Sequence, residues 1–104
     1  MGRGMRRKIL ASNLTDFEKK VLLETMKIPR GKTITYGELA RRINRPRSFR
    51  AVGNALGKNP FAPEVPCHRV VAKGGIGGYS GKGGIEGKKR LLRSENASNS
   101  DRKI

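Results

Sequence analysis

Two capping boxes constrain this chain more than any other feature. Thr15 stands three residues before Glu18, and Thr35 three before Glu38. In that spacing a hydroxyl and a carboxylate satisfy the first free N–H groups of a helix. Behind the first box, Phe17, Val21, Leu22 and Met26 recur at helical spacing, which predicts a helix over 16–27 ended by Pro29 and Gly31. Behind the second, Leu39, Ala40 and Ile43 form the buried side of a shorter helix, followed by a turn at 44–47 around Pro46. Ser48 is placed to cap a third helix over 49–58, with Val52, Ala55 and Leu56 inward. Two short helices across a tight turn resemble a helix-turn-helix. Asn59-Pro60 ends the third helix, residues 61–66 read as extended, and Val70 with Val71 as a short buried strand. A last helix over 85–94 is expected to bury Leu91 and Leu92 and to bring Glu95 to its end.

A chain of 104 residues has room for one small domain. Residues 1–13, with Arg3, Arg6, Arg7 and Lys8, show no apolar period and are expected to form a flexible basic arm. Residues 96–104 are expected to be a disordered tail, which leaves 14–95 as the domain. The 24 Lys and Arg oppose eight Asp and Glu, a formal net charge of +16 that points to a polyanionic partner. Nucleic acid is favoured over membrane, because no run is long and apolar enough to span a bilayer and no signal peptide is read at the start. One cysteine excludes an internal disulfide and suits a reducing, intracellular location, cytoplasm or nucleoid. With one cysteine and one histidine, no structural zinc site is expected.

The candidate chemistry lies in Pro66-Cys67-His68-Arg69-Val70-Val71, which sets the only cysteine beside the only histidine. A thiol reacts as its thiolate, and an imidazole, a positive field or a proton acceptor can make that form accessible near neutral pH. In an extended segment, adjacent side chains point to opposite sides, so the pair needs a turn or a bridging water to communicate. The plain alternative is a buried structural thiol beside a surface histidine. On the third helix, Arg50 stands near the start, and Ala51, Gly53, Ala55 and Gly57 keep the surface low. Small residues there allow either close approach to another surface or tight packing within the domain. The glycine-rich stretch 73–84 around Tyr79-Ser80 lacks the spacing of a phosphate-cradling loop and reads as a loop passing close to a flat ligand, or as simple flexibility.

Thr35-Tyr36-Gly37-Glu38-Leu39-Ala40, Arg50-Ala51-Val52-Gly53-Asn54-Ala55-Leu56, Asn59-Pro60, the cysteine block, Gly78-Tyr79-Ser80-Gly81 and Leu91-Leu92 occur in one order. In these motifs the chain closely resembles the C-terminal domain of O6-alkylguanine-DNA alkyltransferases over 15–95. The resemblance implies a mainly α, small winged-helix-like domain with a helix-turn-helix and short strand and loop segments carrying the reactive cysteine. It also implies irreversible, single-turnover transfer of an alkyl group from the 6-oxygen of guanine in double-stranded DNA to Cys67, by a monomer, without cofactor or metal. In that reading Cys67 is the nucleophile, His68 draws off its proton through a water, and Glu95 orients the imidazole. Tyr36 donates its hydroxyl proton to the leaving guanine, and the Ser80 N–H supports the 6-oxygen. The carbonyls of Cys67 and Val70 accept from the exocyclic amine, while Tyr79 walls a pocket to which Leu56 and Val70 also belong. Asn59 ties the recognition helix to the cysteine segment, and Lys88 matches the same pattern. The target nucleotide must leave the stack. Arg50 fills the gap, and the helix-turn-helix enters the minor groove with Tyr36, Ala51, Gly53 and Ala55 toward DNA.

Two other readings compete. Single-domain relatives, the alkyltransferase-like proteins, bind alkylated guanine without repairing it and flag it for other machinery. They replace the reactive cysteine, usually with tryptophan, whereas this chain keeps Cys67 with His68 and Glu95, so repair is expected over lesion sensing. A nonspecific nucleic-acid-coating protein accounts for the charge but not for the reactive block.

Overall fold

The first capping box closes completely in the computed structural model, which describes residues 2–62, 64–78 and 83–95. Thr15 Oγ1 accepts from the Glu18 N–H at 3.1 Å and Glu18 Oε1 from the Thr15 N–H at 3.0 Å, opening helix α2, Asp16–Thr25. Glu18 also takes Lys58 Nζ at 3.3 Å, which ties the start of α2 to the end of helix α4, Phe49–Gly57. The second box closes by half. Thr35 Oγ1 accepts from the Glu38 N–H at 3.1 Å to open helix α3, Tyr36–Arg42. The Glu38 carboxylate instead turns to Arg41 at 2.8 Å and Arg42 at 3.3 Å, because cations one turn ahead on the same helix face compete for it. Ser48 occupies the N-cap of α4 but makes no side-chain capping bond; its backbone is not in the extended conformation that aims a capping side chain at the helix.

Residues 2–11 do not form part of the flexible arm expected over 1–13. Gly2–Ala11 is a helix, α1, with Met5 and Ile9 in the core at 7% and 0% exposure. Two apolar residues one turn apart are too short a period to stand out among Arg6, Arg7 and Lys8, yet they suffice once α2 offers an apolar face. Lys19 Nζ closes the helix end by donating to the Leu10 carbonyl at 2.9 Å. The tail expected at 96–104 lies outside the described residues.

Helix α2 packs against α1, α3 and α4, and Val21, Leu22, Leu39, Ala40 and Val52 meet in the core. Between α3 and α4 the chain reverses through Asn44, held at φ 62°, a left-handed conformation that asparagine tolerates better than most residues. Two strands complete the frame: β1, Ile34–Thr35, pairs in parallel with β2, Val70–Val71, in the register Ile34 to Val70 and Thr35 to Val71. The stretch before β2 is turned and not extended, since Asn59 Oδ1 takes the Phe61 N–H at 2.9 Å and Val65 N–H bonds the Phe61 carbonyl at 2.9 Å. Helix α5, Gly84–Ser94, leaves Leu91 and Leu92 only half-buried; its buried positions are Gly87 and Lys88. The chain is thus mainly helical, with five helices and two short strands among the described residues. None of these helices is long and apolar enough to cross a membrane.

Because Ile9 is sealed against α2, Ile9→Ala should lower the unfolding free energy by about 2–5 kcal/mol in urea denaturation. An unchanged midpoint would show that α1 contributes nothing to the core.

Candidate active site

Cys67 opens a 3₁₀ turn, Cys67–Arg69, that leads directly into β2. The segment is turned and not extended, so successive side chains are rotated by a third of a circle instead of a half. Both side chains are buried, Cys67 at 5% exposure. Asn59, at the end of α4, holds the segment from beside it. Its Oδ1 is occupied by the Phe61 N–H, so its amide donates to the Val65 carbonyl at 3.0 Å and to the Cys67 thiol. Burial pushes that thiol above its ordinary 9.0, against the opposing pull of the Asn59 amide and the Lys88 cation. At neutral pH the group is therefore a thiol, and any nucleophilic chemistry needs a proton acceptor.

Beside it on the turn stands His68. Its Nε2 meets Glu95 Oε2 at 2.9 Å, and burial holds the imidazole below its ordinary 6.5, only partly countered by the hydrogen bond and charge of Glu95. A neutral ring donating Nε2–H to the carboxylate keeps its basic lone pair on Nδ1. Glu95 is itself clamped. Arg69 Nε reaches Glu95 Oε1 and Arg69 Nη2 reaches Oε2, both at 2.9 Å, while Arg69 Nη1 donates to the Ile28 carbonyl at 2.9 Å. Burial raises the Glu95 carboxyl, but the hydrogen bonds from Arg69 and His68 outweigh it and leave the group below the usual carboxylate range.

Lys88, on α5, is the largest side chain with no exposure. Its ammonium donates to three carbonyls: Val70 at 2.8 Å, Ile76 at 2.6 Å and Gly78 at 2.9 Å. An ammonium has three N–H bonds, so donors and acceptors match one to one. Burial pulls this amine down to about 8, which still leaves it protonated at neutral pH. Tyr36 completes the group. Its half-buried phenol, raised above 10 by burial, accepts from the Gly78 N–H and lies near the Cys67 charge. Lys88 Nζ stands 5.9 Å from the Tyr36 ring centre. Gly77 makes this approach possible: at φ 75° its Cβ would fall 2.7 Å from the Tyr36 hydroxyl.

Cys67, His68, Glu95, Asn59, Tyr36 and Val70 are thus brought together around the 3₁₀ turn and β2. Arg50 and Ala51 are exposed on α4, and Gly53 is part-exposed with open space where a Cβ would stand. Ala55 corrects the expectation of a DNA-facing residue: at 3% exposure it lies in the core with Leu56, because its position on α4 continues the Val52 face. Tyr79 and Ser80 fall outside the described residues. Arg69 carried no assigned role, although its place next to His68 marks it as a partner for whatever carboxylate orients the ring. Among the described residues no group of three His, Cys, Asp or Glu side chains could hold a metal ion.

Residues 16–97 match the family described as 6-O-methylguanine DNA methyltransferase, DNA binding domain, so α1 precedes the matched region. The methylated-DNA--protein-cysteine methyltransferase of Methanocaldococcus vulcanius is 53% identical over 83 residues, which are 80% of this chain and 49% of that protein. Its counterpart in Methanosarcina mazei is 47% identical over 87 residues, 83% of this chain and 54% of that protein. The chain spans about half the length of the curated relatives it matches. Among solved structures, Mycobacterium tuberculosis OGT in complex with DNA is similar with a TM-score of 0.77 at 46% identity, covering 81% of this chain and 52% of that one. S. pombe Atl1 in complex with damaged DNA containing O6-carboxymethylguanine is similar with a TM-score of 0.68 at 33% identity, covering 84% of this chain and 82% of that one.

Removing the Lys88 ammonium strands three carbonyls. Lys88→Met should lower the unfolding free energy by about 2 kcal/mol or more and speed amide exchange around Ile76–Gly78. Wild-type stability with wild-type exchange would mean that the three bonds hold nothing in place.

Proposed function

We propose that this chain, which belongs to the 6-O-methylguanine DNA methyltransferase family through its DNA-binding domain, transfers an alkyl group from the 6-oxygen of guanine in DNA to Cys67, once per molecule. The observation that carries the reading is the buried line Cys67, His68, Glu95, Arg69: a thiol beside a neutral imidazole whose far nitrogen is fixed by a clamped carboxylate. The bond from Cys67 Sγ to the alkyl carbon forms as the bond from that carbon to the 6-oxygen breaks. The thiol proton passes through a water to His68 Nδ1, and Glu95 stabilises the imidazolium. The departing guanine takes the hydroxyl proton of Tyr36, whose burial keeps it protonated and available as a donor. His68 returns a proton to Tyr36 through solvent, so the net movement is from thiol to guanine. The thioether has no easy route back, and no cofactor takes part.

Recognition follows from the same frame. The Cys67 and Val70 carbonyls accept from the exocyclic amine of guanine, with the Val70 carbonyl oriented by the bond from Lys88. The Ser80 N–H supports the 6-oxygen. Arg50 fills the stack once the nucleotide has rotated out, and Ala51 and Gly53 let α4 lie close in the minor groove of double-stranded DNA. The protein acts as a monomer on this reading. The likeness to S. pombe Atl1, most of whose length the chain covers, supports a second reading in which the domain holds the lesion without transferring it.

Intact-protein mass spectrometry after incubation with a duplex holding one O6-methylguanine separates the two. Repair gives a self-limiting gain of one methyl that peptide mapping places on Cys67 and that Cys67→Ser abolishes. Tight binding without any gain makes the protein a lesion sensor. Transfer should also slow as the pH falls below 6.5 toward the depressed His68 value, since protonation there removes the base. A rate flat through that range would take His68 out of the mechanism. Arg50→Ala should slow duplex repair on the order of 100-fold, the equivalent of a few kcal/mol of extrusion cost, and leave reaction with free O6-benzylguanine near wild type. Equal loss on both substrates would sink the wedge.

A further inference from the structure

Of the five helices among the described residues, two, α1 and α4, contain no carboxylate. In the others a cation is answered within one turn: Lys27 just past α2 by Glu24 at 3.2 Å, Arg41 by Glu38 at 2.8 Å, and Lys89 by Glu86 at 3.6 Å. Such pairs stabilise an exposed helix, so a helix that lacks them keeps its cations for something else. α4 carries Arg50, the proposed wedge, and a carboxylate on that face would repel phosphate. α1 shares the trait. Its Arg6, Arg7 and Lys8 are exposed, and none pairs with a carboxylate among the described residues. The placement of α1 links it to α4. Lys19 and Glu18 are neighbours on the first turn of α2 and serve different helices: Lys19 Nζ bonds the Leu10 carbonyl in α1, and Glu18 takes Lys58 Nζ just past α4. The C-terminal ends of α1 and α4 therefore flank one turn of α2, and Lys19 and Lys58 continue the positive surface between them. Two carboxylates interrupt it: Asp16, and Glu18, which is engaged by Lys58 and the Thr15 N–H. Because the family match begins at residue 16, α1 lies outside the matched region.

We propose that α1 is a second duplex contact, in which Arg6, Arg7 and Lys8 take backbone phosphates of DNA beyond the segment held by α3 and α4. The proposal rests on the DNA-binding part of the reading above and not on alkyl transfer. The exposed polar groups of α1 are cations, with no amide and no aromatic ring, so the contact lengthens the footprint without reading bases. A lipid surface fits poorly. Met5 and Ile9, the apolar pair of α1, are spent in the core, which leaves Leu10 at 48% exposure and too little apolar surface to insert. Successive residues of a helix are turned by about 100°, so the three cations fan round the outward side and about two of them can face one duplex.

The test uses the full chain, a triple variant, Arg6→Gln with Arg7→Gln and Lys8→Gln, and a charge-keeping variant, Arg6→Lys with Arg7→Lys. Both variants should unfold at the wild-type urea midpoint, because these side chains are exposed. Binding is followed against salt on two lesion duplexes, with about 5 and about 15 base pairs on each side of the lesion, roughly half a helical turn and one and a half. On the long duplex the triple variant should flatten the plot of log affinity against log salt by about two units, the share of two phosphates, and the lysine variant should keep the wild-type slope. On the short duplex all three proteins should share one slope. An unchanged slope for the triple variant on the long duplex overturns the assignment and leaves the three cations to solvent or to an acidic protein. An equal loss on both lengths places the contact within the segment held by α4 and overturns the second site. A lysine variant that binds like the triple variant overturns phosphate as the ligand. If the wild-type protein binds lesion duplex but transfers no methyl, the repair reading alone fails, and the salt slope still decides α1.

Discussion

A charged amine with no exposure to water ties β2, the glycine-rich loop and α5 together. Burying an ammonium costs on the order of several kcal/mol, and Lys88 offsets that cost with three carbonyls drawn from β2 and the glycine-rich loop. The arrangement joins three segments that pack little apolar surface between them: a two-residue strand, a loop of glycines and the first turns of α5. Without a central donor their carbonyls would point at one another. The same charge lies near the Cys67 thiol and opposes the effect of burial there, so one residue both joins the segments and acts on the thiol beside them.

The second theme is that polar side chains are fixed in pairs, each member setting the other's orientation. Arg69 presents two nitrogens to Glu95 and a third to the Ile28 carbonyl in the turn after α2, which holds the carboxylate toward His68. Asn59 is held in the same manner, its oxygen engaged by Phe61 and its amide left to face Val65 and the thiol. Both side chains are thereby preorganised before any ligand arrives.

How much of this was legible depends on the range of each signal. Local chemistry was plain: the capping boxes at Thr15 and Thr35, the breaks at Pro29 and Asn59-Pro60, and the inward face Val52, Ala55, Leu56 all lie within a few residues of what they control. Helix α1 was missed because its apolar content is one pair, Met5 and Ile9, whose meaning comes from the α2 face it covers. Ala55 was assigned to two faces, since smallness serves groove contact and core packing alike; only burial separates them. The roles of Arg69 and Lys88 could not be read because their partners are far along the chain or are backbone carbonyls, which carry no letter in the sequence. The Cys-His pair was the opposite case: its residues were obvious, while the 3₁₀ turn on which they sit had no signal in the letters.

Thr35 is at once the last residue of β1, paired in register with Val71, and the N-cap of α3. Strand and helix therefore share a joint with no slack, and Tyr36 begins immediately after it. The helix pair that would meet a duplex and the segment that carries the sulfur are consequently indexed to one coordinate frame. Because Tyr36 opens α3 straight after this joint and its hydroxyl takes the Gly78 N–H, the phenol is held from two directions, by its own helix and by the loop that follows β2.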